Sequence, residues 1–234
     1  MAATVLNTNT PVQQTTTSFS STFTVNTGSN LIAFALVVFD GANGLSISSI
    51  TLGGDTMTSC GAAIQNTTSN GYAQAYYKIA PQTGTPTLAI TVSGATDIYA
   101  NVVVVKGAVQ SSPVSSYQSS QGAADVSGNF TLTAVTSDTD SVCLSCTDGG
   151  TTNNVTTNQT SLGTSTNGVH SYGSARGTTP ASSITFTWSG TAGTQVCALA
   201  FSVAPAPNVV YKRVGGRNES RLKIAQFGNI GSMR

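Results

Sequence analysis

Charge is the scarcest property of this chain. Charged side chains make up 7% of its 234 residues, against roughly 25% in an ordinary soluble domain. Its polar surface must therefore be built from Thr, Ser, Asn and Gln, which suit strands and turns and disfavour long helices. Disorder is excluded on the other side, because 39% of residues are hydrophobic and the net charge is only +1, the reverse of a disordered composition. Glutamate occurs once, at Glu219, so the body has no Glu pair of the kind a two-carboxylate glycosidase uses. His170 is the only histidine. A Ser-His-Asp triad would have to use it, yet GVHSYGSARG has neither a G-x-S-x-G elbow nor an oxyanion glycine run. It reads as a surface or satisfied polar residue. There is no phosphate-binding loop or dinucleotide fingerprint. The longest apolar run, Asn30 to Asp40, is too short to span a bilayer. The N-terminal stretch MAATVLNTNTPVQQTTT lacks a basic region and an apolar core, so it is not a secretory signal. The expectation is synthesis in a cytoplasm without export by the usual route.

Four cysteines remain to be placed: Cys60, Cys143, Cys146 and Cys197. Cys143 and Cys146 have CxxC spacing, but they lie in a strand pattern, where positions i and i+3 point to opposite faces. A zinc site would also need more ligands than one histidine supplies. They read as buried or half-buried free thiols. Asp138, Asp140 and Asp148 have oxygen donors that suit calcium, but Asp beside Gly, Thr or Ser is ordinary turn chemistry, and that is the reading adopted. No catalytic residue, metal or cofactor is assigned.

What the chain does have is strand grammar. NLIAFALVVFD, between Gly28 and Gly41, reads as a central strand. Ile32, Phe34, Leu36 and Val38 take one face and Leu31, Ala33, Ala35 and Val37 the other, so apolar strands must cover both. Alternation over Thr17–Val25, Leu45–Leu52, Tyr72–Ile79, Leu88–Val92 and Tyr99–Val105 supplies them. Residues 1–16 read as an extended arm, 17–204 as an antiparallel β-sandwich, and 205–234 as a basic tail. The expected core is Ile32, Phe34, Leu36, Val103, Val105, Ile184, Phe186, Trp188, Leu199 and Phe201. The second half repeats the first: Ile184, Phe186 and Trp188 follow Leu88, Ile90 and Val92 by 96 residues, and Leu199 and Phe201 follow Val103 and Val105 by the same offset. A pseudo-duplicated sandwich of eight to ten strands fits this pattern.

The order of the pieces "ISSITLGGDTMT", "YAQAYYKIAPQTGTPTLAITVS", "VVVVKGA" and "ITFTWSG…VCALAFSVAPA" resembles a jelly-roll-like β-sandwich family of phage particle proteins and bacterial surface proteins. The resemblance covers roughly residues 18–205. It implies a sandwich used for display or assembly and carries over no catalytic residue.

Beyond Ala204-Pro205-Ala206-Pro207 the character changes. Residues 208–234 hold six of the nine bases against one acid, a charge of +5, while residues 1–207 hold three bases against seven acids, a charge of −4. Basic and intermittently apolar, the tail is suited to lying on another subunit. Tyr211, Ile224 and Phe227 are the expected anchors, and Lys212, Arg213, Arg217, Arg221 and Lys223 the ion-pairing residues. A +5 tail on an acidic body is modest for nucleic acid. The sequence thus points to a structural protein of a virus particle, a bacteriophage head decoration or tail component, forming homo-oligomers with other virion subunits as partners. The alternative is a carbohydrate-binding or adhesin module taking a surface glycan through Tyr72, Tyr76, Tyr77 and Tyr117. Alkylation of the unfolded chain without reductant should label all four cysteines. A bridged pair in the mass spectrum would contradict both the thiol assignment and the compartment.

Overall fold

The computed structural model describes residues 2–41, 44–68, 70–125, 127–135, 141–149, 156–167, 170–177 and 183–207. These residues form seventeen strands and no helix. The first half contains β1 (Thr4–Thr8), β2 (Val12–Thr22), β3 (Ile32–Asp40), β4 (Ile47–Leu52), β5 (Asp55–Thr56), β6 (Thr58–Ser59), β7 (Ile64–Asn66), β8 (Gly71–Ile79) and β9 (Thr87–Lys106). All belong to one antiparallel sheet of nine strands.

β9 is its spine. Two strands are expected from the sequence here, but Leu88 to Val105 lies within a single strand of 20 residues. No proline interrupts Ser93–Thr96, and Gly94 leaves room for Leu45, whose Cδ2 would stand 2.7 Å from a Cβ at that position. The first half of β9 pairs with β4 (Leu52↔Leu88) and the end of β2 (Ser21↔Leu88). The second half pairs with β3 (Ile32↔Val105) and β1 (Val5↔Val105). The sheet therefore bends back over itself. Phe19, Leu52, Leu88 and Ile90 from one wing close a core with Ala33, Val37, Phe39 and Val102 from the other. The N-terminal segment is extended as expected, but it is stitched along β9 as β1 and the start of β2 instead of standing free. Asn7 and Asn9 tie it down further: Asn7 Nδ2 donates to the Thr24 carbonyl at 2.8 Å, and Asn9 Oδ1 accepts from the Thr24 amide at 2.7 Å.

The second half contains β10 (Val114–Ala123), β11 (Asn129–Val135), β12 (Val142–Gly149), β13 (Thr156–Thr157), β14 (Thr160–Thr166), β15 (Ser171–Arg176), β16 (Ser183–Ser189) and β17 (Gln195–Val203). They form a five-stranded sheet, β10-β17-β12-β15-β14, and a three-stranded sheet, β11-β16-β13. The repeat reappears in the pairing, although the 96-residue offset holds for one partner only, Val105 to Phe201, while Ile32 to Leu144 is 112 residues. β3 lies between β8 and β9 as β12 lies between β15 and β17, with Ile32↔Val105 matched by Leu144↔Phe201. β1 and β10 each carry a register shift, one opposite Val104–Val105 and the other opposite Ala200–Ser202. The halves differ at one place. Where β9 runs through its bend, the second half turns over Gly190–Thr194, with Gly193 at φ 74°, and splits into β16 and β17.

Two sandwiches are thus stacked, and their inner sheets share a seam. Ile32, Phe34, Leu36 and Val38 from β3, with Val103 and Val105, meet Leu144, Cys146, Leu199 and Phe201. Behind that sheet, Phe130, Leu132, Phe186 and Trp188 pack on Ala198 and Ala200. All ten expected core residues are buried, but in two separate cores: Ile184, Phe186 and Trp188 belong to the second sandwich alone, the other seven to the seam. Hydroxyls inside the second core are satisfied locally, since Ser145 Oγ donates to the Leu199 carbonyl at 2.7 Å and accepts from Trp188 Nε1 at 3.1 Å. Phe34 and Phe186 are both fully buried. Replacing either with Ala should cost roughly 3–5 kcal/mol in chemical denaturation, through lost transfer energy and the cavity left behind.

Candidate functional site

Strand ends decide where the polar side chains of this charge-poor chain meet. β3 finishes at Asp40, and Asp97 of β9 sits directly opposite it. Asp148 of β12 and His170, just before β15, lie at the same end of the seam. Apolar strands carry these groups into the interior, so they must satisfy one another. His170 Nδ1 lies 3.0 and 3.1 Å from the two carboxylate oxygens of Asp148. Its Nε2 lies 3.7 Å from Asp40 Oδ2, across the seam. Asn167 Nδ2 donates to Asp40 Oδ2 at 2.9 Å and Asp97 Oδ2 at 2.6 Å, and reaches the Tyr172 hydroxyl at 2.9 Å. The Thr15 hydroxyl donates to Asp97. The histidine is held by its own backbone as well, its amide donating to Asn167 Oδ1 at 2.7 Å and its carbonyl accepting from Thr166 Oγ1 at 2.9 Å.

Asp148 is wholly buried and His170 is 6% exposed. Burial pushes the Asp148 carboxyl up to about 6, with the His170 hydrogen bond and charge working against that rise. Burial alone would lower the His170 pKa. The hydrogen bond and charge of Asp148, then the charges of Asp40 and Asp97, outweigh it and hold the imidazole above its ordinary value. With both ring nitrogens facing carboxylates, the imidazole is set to keep a proton between acids, not to take one from a hydroxyl. Chemically the cluster is a clamp. It is also where a turn-forming role for Asp148 proves wrong: Asp148 and Gly149 are the last residues of β12.

Further into the seam lies a second polar group. The Tyr99 hydroxyl donates to the Gly163 carbonyl at 2.8 Å and lies 2.9 Å from Ser174 Oγ. Asn101 Nδ2 donates to the same Ser174 oxygen at 3.0 Å, while the buried Asn101 Oδ1 has no hydrogen-bond partner. An open groove of about 300 Å³ on the first sandwich is lined by Asn9, Thr10, Val12, Thr22, Phe23, Thr24 and Thr85, none of them charged.

The residues expected to bind a partner, Tyr211, Lys212, Arg213, Arg217, Arg221, Lys223, Ile224 and Phe227, lie outside the described residues, as do Asp138 and Asp140. Of the four tyrosines weighed for glycan binding, two are buried and two are half-buried against the seam. Tyr72 and Tyr76 are buried, Tyr77 tilts on Phe34 with ring centroids 6.3 Å apart, and Tyr117 stacks near Phe201 at 6.4 Å. The cysteines are free. Cys146 and Cys197 face the seam and Cys143 the second core, the opposed faces that the spacing implies. Burial pushes the Cys143 thiol up to about 12 and raises the other three as well, leaving neutral, unreactive thiols. The sequence points to none of Asp40, Asp97 and Asn167 as part of a cluster. The available signal was an Asp closing each of two apolar strands.

Fold and cluster together define a tandem all-β sandwich clamped by buried charge. No protein-family model matches the chain, and no match was found among curated proteins or solved structures.

The clamp depends on a glycine in β8. A Cβ at Gly71 would stand 1.8 Å from Asp148 Oδ2 and 2.9 Å from its Cγ, and a fully buried carboxylate has nowhere to retreat. Gly71→Ala should therefore lower stability by about 2–3 kcal/mol by denaturant titration, in the upper part of the overpacking range.

Proposed function

We propose that this protein is a structural subunit of an assembly, a head-decoration or tail component of a virus particle, which docks through residues 208–234. One observation carries the reading: charge is sorted along the stack. Lys78 pairs with Ala33, Lys106 with Thr4 and Arg176 with Leu144, so all three bases of the body lie toward one end of the strands. Asp40, Asp97, Asp125 and Asp148 lie toward the other, Asp125 following the Ala123↔Gln195 pair. The remaining described acid, Asp55, is neutralised by Lys78 at 3.1 Å. The chain leaves the body at the basic end, where the Ala206 amide donates to the Gly107 carbonyl at 2.7 Å. A +5 segment launched from a basic corner is repelled by its surroundings and drawn to an acidic surface elsewhere. The outer faces of the stack are polar at the described positions. They present hydroxyls, including Ser20 and Thr22 at one side and Thr131, Thr133 and Thr185 at the other, with Thr133 and Thr185 2.9 Å apart across the strands.

The adhesin reading would need aromatic rings presented to solvent, and the four tyrosines that could supply them are packed into the seam and the first core. Deleting residues 208–234 should leave thermal unfolding of the body unchanged while abolishing incorporation into particles, counted as copies per particle by quantitative mass spectrometry. Attachment of the full chain should weaken as salt rises. Normal occupancy by the truncated chain would remove the tail as the docking element.

A further inference from the structure

We propose that His170 is a proton-operated latch between the two stacked sandwiches, closed when the imidazole is charged and released when it is neutral. The geometry is that of a bridge. Nδ1 faces Asp148 of the second sandwich at 3.0 Å, and Nε2 faces Asp40 of the first at 3.7 Å. No other histidine exists in the chain. Among the described bases, Lys78, Lys106 and Arg176 pair with residues at the opposite end of the strands. Among the described residues a charged imidazole is thus the one cation beside three carboxylates.

The groups facing it come from both sandwiches. Asp40 and Asp97 come from β3 and β9, and Asp148 from β12. Tyr172 of β15 stacks beside the ring, with centroids 6.3 Å apart. Cys197 of β17 feels the Asp148 charge. Tyr172 and Cys197 are both raised by burial and stay neutral through the physiological range. Asp148, pushed up to about 6, and the imidazole are the groups that titrate there. While His170 carries its proton, it offers an N–H to each sandwich and its charge offsets acids on both sides. Once the proton leaves, one nitrogen becomes an acceptor facing a carboxylate, and Asp40, Asp97 and Asp148 repel one another across the seam with neutral donors such as Asn167, Thr15 and Thr96 left to offset them. Like charges brought together in a poorly solvated site are costly.

The sign follows from linkage. A histidine raised in the folded state contributes stability that is complete below its unfolded value, about 6.5, and disappears as pH climbs through the folded value. Asp148, pushed up to about 6, acts in the same direction, since the folded state keeps a proton that the unfolded chain gives up earlier. Rising pH therefore loosens this end of the seam. The far end, held by Val103, Val105 and Phe201, has no titrating group of its own in the apolar contact and should not respond.

The full-length protein can be tested directly. Proton NMR of the single imidazole should show a titration midpoint above 6.5. Hydrogen exchange at the amides of Asp40, Asp97 and Asp148 should speed up about tenfold as pH passes that midpoint, after correction for intrinsic rates, with Val105 and Val142 unchanged. His170→Gln keeps a donor for Asp148 but cannot carry charge. It should remove the imidazole's share of the profile and leave that of Asp148, so that the wild type loses roughly 3 °C more in Tm than the variant as pH climbs through the imidazole midpoint. An imidazole titrating at or below 6.5 would overturn the latch. So would exchange that stays constant through the midpoint or changes equally at both ends of the seam. If His170→Gln fails to fold, the titration and exchange of the wild type decide the matter alone.

Discussion

Burial of β3 and the second half of β9 on both faces is the constraint from which the rest follows. An antiparallel sheet normally keeps one face wet. Here the central sheet of the first sandwich is dry on both sides, Ala33, Val37 and Phe39 facing inward and Ile32, Phe34 and Leu36 facing the second sandwich. A strand of that kind has no polar face to offer water, so the first sandwich cannot be completed by its own residues. The second sandwich is the missing layer, and the dependence is mutual because β12 and β17 are buried on both faces in turn. Two units that look separable in their hydrogen bonding are one unit in their hydrophobic accounting.

Apolar contact alone would let the two sandwiches slide. Side chains such as Val103 and Leu199 make non-directional contacts that tolerate several registers. Tyr99, Asn101 and Ser174 do not, since each hydrogen bond across the seam exists at one offset only. The unpartnered Asn101 Oδ1 shows that this positional information is retained at an energetic cost. Directional groups in the middle of the seam and a charge cluster at one end divide the work. The first fixes the register, and the second ties the halves where the apolar contact runs out.

Strand periodicity made the fold legible in the sequence. Period-two alternation placed β4, β8 and both halves of β9 but not β10, β14 or β15, the 96-residue offset located equivalent strands of the two sandwiches, and the apolar run from Leu31 to Phe39 announced a strand covered on both sides. What escaped notice depended on distance in the chain. The bend in β9 is a property of its neighbours, Leu45 over Gly94, and no local signal marks it. The segment before Thr17 looked like a free arm because its partner strand lies some ninety residues further on. The cluster at the seam was hidden for the same reason. Asp40, Asp148 and His170 come from three strand ends and Asp97 from the middle of β9, scattered over most of the chain, and each alone looks like a turn residue or a lone surface histidine. Alternation reveals which face a residue takes; it is silent about which strand end will stand beside it.

One corner of the molecule gathers three passages of the chain. β1 begins beside Lys106, the connection through Ala108 and Val109 between the sandwiches starts there, and Ala204 to Ala206 pass over it. Neighbouring chain ends are what make circular permutation tolerable. In the described body the natural cut site lies beside both β1 and the segment Ala204–Ala206, the two stretches to be rejoined. Order along the chain is therefore decoupled from order in space: the second sandwich could precede the first, joined by a short linker, and every strand pair, core and cluster would find the same partners. The fold specifies that the two halves meet, and leaves open which is synthesised first.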